Sequence, residues 1–323
     1  MRRAAQLTTI VAAAALLIVP GSPAQAYVSQ VDVSPTTITD SSTGEGSIAA
    51  TMHLSMQAGE ARNLRAELVM GNARAEGQPS PVAAAQKITC EPAGGATLPG
   101  EQIWNTRNLL ADEPDVTLMT RMMFVAPAAG SYDCHLRVYL NNELSHGRET
   151  AAMRGGFLGD VSGAIPADRT ARLIRSGSDA TYFALGAPVR QLHHVPGYTP
   201  PVGATSFRVV GDLQTSSCYG NGGNACPRAT YPDGAAAKIY TRVVATPSIP
   251  SAACTSQASA PRSVTVSKQV HHLRIHNELL VTLPSSGCGT WTLNVVARDD
   301  GGSLPFVVHT GDGPYTTVYA RPA

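Results

Sequence analysis

The chain has 323 residues, 43% of them hydrophobic and 15% charged, with a formal net charge of +1. So few charges, so evenly balanced, leave no basic footprint for nucleic acid or anionic lipid. The length is sufficient for more than one domain, and six cysteines are spread over the chain.

Met1-Arg2-Arg3 is a short positive start, followed by an apolar stretch from Ile10 to Val19, the breakers Pro20 and Gly21, and the small-x-small pattern Ala24-Gln25-Ala26. This is the layout of a secretory signal peptide over residues 1–26, with Tyr27 as the first mature residue. The apolar stretch is well short of the roughly 20 residues that span a bilayer, and the rest of the chain has no segment of that length. Removing Arg2 and Arg3 from 24 basic residues, against 23 acidic ones, takes the formal charge from +1 to −1. Only Lys87, Lys238 and Lys268 are lysines, the other basic residues being arginines, and alanine is abundant. With this leader, that bias resembles exported proteins of high-GC actinobacteria.

From residue 48 onward the chain alternates with a period of two. Ile48, Ala50, Met52, Leu54 and Met56 share one face; Leu64 to Met70, Val116 to Phe124, Tyr132 to Leu140, Ile239 to Ala245, Leu273 to Leu283 and Trp291 to Ala297 follow the same rule. Alternation predicts strands with one face in a core and the other in water. Turn chemistry separates them at Gly220-Asn-Gly-Gly223, Asp299-Asp-Gly-Gly302 and Gly311-Asp-Gly-Pro314. Asp168 to Arg175 is the one short helix candidate, with Asp168 as its N-cap. The fold class is all-β.

A segment recurs. Pro127-Ala-Ala-Gly130 leads into the strand Tyr132 to Leu140, and Pro284-Ser-Ser-Gly287 leads into Trp291 to Ala297; an apolar run precedes each. The repeat predicts two tandem β-sandwich domains, over 27–153 and 200–323, joined by a linker or irregular segment at 154–199. In an oxidising compartment six cysteines form disulfides. Of fifteen possible pairings, domain logic favours Cys90–Cys134 and Cys254–Cys288, and Cys218–Cys226 would close the loop Tyr-Gly-Asn-Gly-Gly-Asn-Ala.

Cys90, Trp104 and Tyr132-x-Cys134 occur in the order of the immunoglobulin fold, and the N-terminal domain resembles it. The resemblance implies that Trp104 packs on a bridge between sheets and that Tyr132 makes a corner hydrogen bond, all four residues being structural. A jelly-roll sandwich is the second choice of fold.

Catalytic and metal motifs are weak. Gly159-Asp-Val-Ser-Gly-Ala164 superficially resembles a serine-protease nucleophile segment, but Val161 separates Asp160 from Ser162. Gly-x-Ser-x-Gly and His-Glu-x-x-His are absent. His272, Arg274 and His276 share one strand face, opposite His271, Leu273 and Ile275; histidines four apart in a strand lie roughly 13 Å from each other, too far to share one metal. That face reads as a polar, water-facing surface. His193-His194 falls in a Pro-flanked loop. Asp299-Asp300, with Asp312, could hold calcium but reads as a turn. Tyr231, Tyr240, Tyr315 and Tyr319 are the aromatics available for sugar stacking.

No catalytic, cofactor-binding or metal residue is assigned, and no cofactor. The expectation is a secreted, disulfide-stabilised, non-catalytic binding or structural protein whose partner is a protein or an extracellular surface. The alternatives are an extracellular enzyme or accessory acting on a polymer, and an inhibitor presenting the loop between Cys218 and Cys226.

Overall fold

Alternating sequences pair where one face can be buried, and in the computed structural model they pair into four antiparallel sheets. The structure describes residues 27–39, 46–73, 81–98, 101–140, 149–174, 180–218, 226, 230–285, 288–310 and 316–323. The leader at 1–26, the turns at 220–223 and 311–314, Asp312 and Tyr315 lie outside them. Among the described residues no helix is long and apolar enough to cross a membrane.

The N-terminal part contains β1 (Ser29–Val33), β2 (Thr36–Thr39), β3 (Ser47–Met56), β4 (Glu60–Asn72), β5 (Val82–Pro92), β6 (Gln102–Leu109), β7 (Val116–Val125), β8 (Gly130–Leu140), β9 (Thr150–Asp160) and β10 (Ile165–Pro166). One sheet runs β1-β9-β4-β7. In it β2 continues β1 along β9 after a break at Ser34-Pro35, and β10 pairs with the start of β4. The other sheet runs β3-β8-β5-β6.

The C-terminal part contains β11 (Ala171–Ile174), β12 (Thr181–Phe183), β13 (Arg190–Tyr198), β14 (Ser206–Ser217), β15 (Ala236–Pro247), β16 (Gln257–Ala258), β17 (Arg262–Ser267), β18 (His272–Thr282), β19 (Trp291–Asp299), β20 (Phe306–Val308) and β21 (Thr317–Pro322). Here one sheet runs β11-β21-β14-β18, extended by β20 and β12. The other runs β13-β19-β15-β17, extended by β16.

The two parts repeat one wiring. Strands β1, β3, β4, β5, β6, β7, β8 and β9 correspond to β11, β13, β14, β15, β17, β18, β19 and β21 in the partners they pair with. Among these matched strands every connection except β5 to β6, and its counterpart β15 to β17, crosses from one sheet to the other. This is the strand order of the jelly roll, not the ABED–CFG order of the immunoglobulin fold. Pro127-Ala-Ala-Gly130 lies at the crossover from β7 to β8; Ser286 and Gly287 of the second copy lie outside the described residues.

Apolar side chains fill each sandwich. One cluster includes Met52, Leu64, Leu68, Ile88, Met122, Phe124 and Leu136; the other includes Phe207, Leu213, Val243, Trp291, Val295 and Phe306. Each such residue contributes roughly 1.5–3 kcal/mol on burial. Cys90–Cys134, Cys218–Cys226 and Cys254–Cys288 are the bridges.

Five local expectations change. Cys90 and Cys134 face each other on neighbouring strands of one sheet, so their bridge does not join two sheets. Trp104 pairs with Lys87 and lies on the outer face of that sheet, its ring 5.4 Å from Tyr139 and 4.8 Å from the Lys87 ammonium. It cannot pack on the bridge, because Ile103 takes the inward position. Ile48 is 50% exposed since a bulge between Ile48 and Ala50 shifts it off the core face. The helix candidate is a single 3₁₀ turn, Ala167–Arg169, followed by β11, which pairs with β21. The stretch 154–199 is built from the end of β9 and from β10 to β13. Tyr132 does form its corner, donating to the Ala128 carbonyl at 2.7 Å.

Candidate functional site

The side chains that matter lie where the outer faces of two sheets meet. In β14 the even positions Arg208, Val210, Asp212, Gln214 and Ser216 point away from the C-terminal core, and β18 places Leu280, Glu278, His276, Arg274 and His272 beside them. The odd positions of β7 and β4, including Arg121, Met123 and Asn63, form the opposing outer face. Ala61, Met123, Ile165, Val210 and Tyr319 make a small apolar patch between the two.

The polar contacts across this seam are dense. Arg121 donates to both oxygens of Asp212 at 3.1 and 2.5 Å, to Glu278 at 2.8 Å and to the Asn277 carbonyl at 3.1 Å. Tyr319 donates to Asn63 at 2.7 Å. Gln214 exchanges two hydrogen bonds with the Thr106 backbone at 2.9 and 3.3 Å. Asn108 accepts from the His271 and His272 amides at 3.1 and 2.9 Å. Arg274 donates to the Trp104 carbonyl at 2.5 Å. Arg172 pairs with Glu101 and donates to the Met123 carbonyl at 2.9 Å.

Three basic groups converge on one buried carboxylate. Besides Arg121, Asp212 has His276 Nδ1 at 3.0 Å and Arg274 Nε at 3.8 Å. Burial opposes the charge of Asp212, but Arg121 and His276 outweigh it and hold the carboxyl well below the usual range. Burial also opposes the charge of Arg121, and Asp212 more than compensates, raising its pKa. Arg274 loses this competition: burial and the nearby Arg121 bring it down to about 10 against the pull of Asp212. Burial lowers His276 despite Asp212.

One end of the seam opens into a groove of about 500 Å³. Glu67, Asn105 and Arg107 line it from the N-terminal sandwich, and Arg274 and His276 from the other. The volume falls within the range of small-ligand sites.

The expected water-facing surface of His272, Arg274 and His276 is therefore the covered seam. Alternation reported the face correctly but not what packs on it. A second group also escaped the sequence: Ser216 Oγ lies 2.6 Å from His272 Nδ1 and 2.7 Å from His309 Nε2, on three different strands or strand ends. Burial, then His271 and His309, lower His272 well below the ordinary histidine value. Among the described residues no group of three His, Cys, Asp or Glu could hold a metal ion.

The other candidates make contacts within the fold. His193 is buried in β13, a strand and not a loop, and His194 contacts Asn294 at 3.1 Å. Asp299 accepts from the Gly186 and Gly302 amides at 2.7 and 3.3 Å, and Asp300 pairs with Arg298, so Asp299-Asp-Gly-Gly302 is a turn. Asp160 is fully buried, pairs with Arg62 at 3.0 Å and caps the Ser162 and Gly163 amides. Of the aromatics, Tyr319 is buried in the seam, Tyr231 packs on the core, and Tyr240 lies under Arg298 at 4.3 Å.

No protein-family model matches this chain, and no curated protein matches its sequence. Among solved structures it is similar to the tandem CBM22-1–CBM22-2 domain of Xyn10C from Paenibacillus barcinonensis, at 11% identity over 90% of this chain and 93% of that one, TM-score 0.25. The broad bean stain virus structure is similar at 8% identity over 94% and 92%, TM-score 0.28. A protein described as secreted, from Parabacteroides distasonis, is similar at 9% identity over 93% and 91%, TM-score 0.22. At these scores the likenesses carry no argument about fold or function.

Proposed function

We propose that this is a secreted, disulfide-stabilised binding protein whose two β-sandwiches work as one rigid body and present the seam groove to an extracellular ligand. The observation that carries this reading is the groove itself, which combines side chains of both sandwiches. Its lining of carboxylate, amide, guanidinium and imidazole groups suits a polar ligand with several hydrogen-bonding groups, such as a glycan or a peptide. The pairing of all six cysteines supports an oxidising compartment.

The test is retention of the mature chain on insoluble cell-wall and polysaccharide preparations. Retention without soluble product, lost in Glu67→Ala and Arg107→Ala proteins that still fold, supports binding at the groove. Retention that both variants keep overturns the assignment to the groove. Release of product supports instead an enzyme acting on a polymer, the reading favoured by the Ser216–His272–His309 cluster.

A further inference from the structure

The opposite end of the seam holds a second cavity, of about 490 Å³. Ser162, Ile165 and Arg169 line it from the N-terminal side, and Arg208, Arg321 and Ala323 from the C-terminal side. The charged side chains in its lining are all arginines. Arg208 and Arg321 are directly opposed on β14 and β21, where Cβ atoms lie roughly 4.5–5.5 Å apart and like charges destabilise. Arg208 has a partner, Glu278 at 2.7 Å, but Glu278 also serves Arg121. Arg321 is only 7% exposed, spends one N–H on the Pro322 carbonyl at 3.0 Å, and has a buried Nε with no hydrogen-bond partner. Among the described residues no ion pair joins Arg321 or Arg169 to a carboxylate. Burial lowers the pKa of Arg321; Tyr319 and Glu278 pull against this, and Arg208 and Arg121 add to the lowering.

A buried guanidinium with an unused N–H, facing a second guanidinium, is costly unless an anion completes it. We propose that this cavity binds an oxyanion group, held bidentately by Arg321 and Arg208 with Arg169 at the mouth. Planar guanidinium forks match carboxylate and sulfate geometry in this way. The cavity has room for the sugar-sized body of a molecule carrying such a group. This site lies apart from the groove and stands or falls independently of it.

Calorimetric titration of the mature chain in a chloride buffer of constant ionic strength tests the proposal, with sodium sulfate and D-glucuronate as separate probes. The expected result is saturable heat with one or both, and an affinity at least tenfold weaker in Arg321→Gln and in Arg208→Gln, the loss of a charge-assisted pair. Tighter binding of sulfate identifies a free oxyanion as the ligand, and tighter binding of glucuronate a carboxylate carried on a sugar. Thermal unfolding in chloride alone should leave both variants as stable as the parent or more so, because each relieves the Arg208–Arg321 repulsion. Absence of saturable heat with both probes overturns the proposal. So does equal affinity in the parent and in Arg208→Gln, the partly exposed position that can be changed without disturbing the core.

Discussion

Asp212 is fully buried and is the acceptor on which the seam converges. Asp212→Asn keeps its shape but deletes the charge and turns one acceptor oxygen into a donor facing a guanidinium or an imidazole. Removing one partner of a buried ion pair costs about 3–5 kcal/mol. Glu278 remains 2.8 Å from Arg121, which places the expected loss near the lower end, about 3 kcal/mol. At roughly 2–4 °C per kcal/mol for a chain of this size, the melting temperature should fall by about 6–12 °C. Scanning calorimetry of the oxidised mature chain measures this. Glu278→Gln, at a carboxylate 34% exposed, should cost about 1 kcal/mol or less. An Arg121→Met, Asp212→Leu double variant should recover part of the loss, since it removes both charges of the pair but leaves buried Arg274 without its carboxylate. A shift below about 0.5 kcal/mol for Asp212→Asn, or a double variant less stable than either single one, would refute this account of the seam.

The folded pKa values of His276 and His272 are both depressed, so their contribution to stability is complete above the unfolded value of about 6.5 and is lost as pH falls below it, by up to about 1.4 kcal/mol per pH unit for each. The groups facing them are Asp212, Arg121 and Arg274 for His276, and His271 and His309 for His272; a melting temperature that stays flat from about pH 7.5 to 5 would contradict this. A Cβ on Gly211 would lie 2.6 Å from methyls of both Val243 and Val295, so Gly211→Ala should destabilise by about 1–3 kcal/mol in denaturant titration. Tyr132→Phe removes the corner hydrogen bond to Ala128 and should cost about 1 kcal/mol, read from the same titration. Trp104, unlike Trp291, stands outside a core; Trp104→Ala should cost less than the 3–5 kcal/mol typical of a buried Trp.

The sequence was most readable where the physics is local. Alternation gave the inward faces of β4, β15 and β19, and the corner of Tyr132 followed from its spacing to Cys134. Ile48 was misplaced because a bulge changes parity without a sequence marker. Trp104 was misplaced because the Cys-Trp-Cys order of the immunoglobulin fold says nothing about which strands are neighbours; the jelly-roll wiring makes β5 and β8 adjacent and turns Trp104 outward. The face of His272, Arg274 and His276 was identified correctly, but polar residues read as solvent-facing when their partner is another polar face. Asp212 and Arg121, 91 residues apart in sequence, had no local signal that joined them. The Arg208–Arg321 pair was hidden in the same way, since only the register of β14 on β21 opposes them.

The bridge between β5 and β8 bears on strand alignment as well as on cross-linking. Cys90 and Cys134 are cross-strand partners with Cα atoms 4.1 Å apart. A slip of one residue along β8 would send one sulfur to the opposite side of the sheet. The closed bond therefore holds β8 in its register on β5, and reduction removes that constraint.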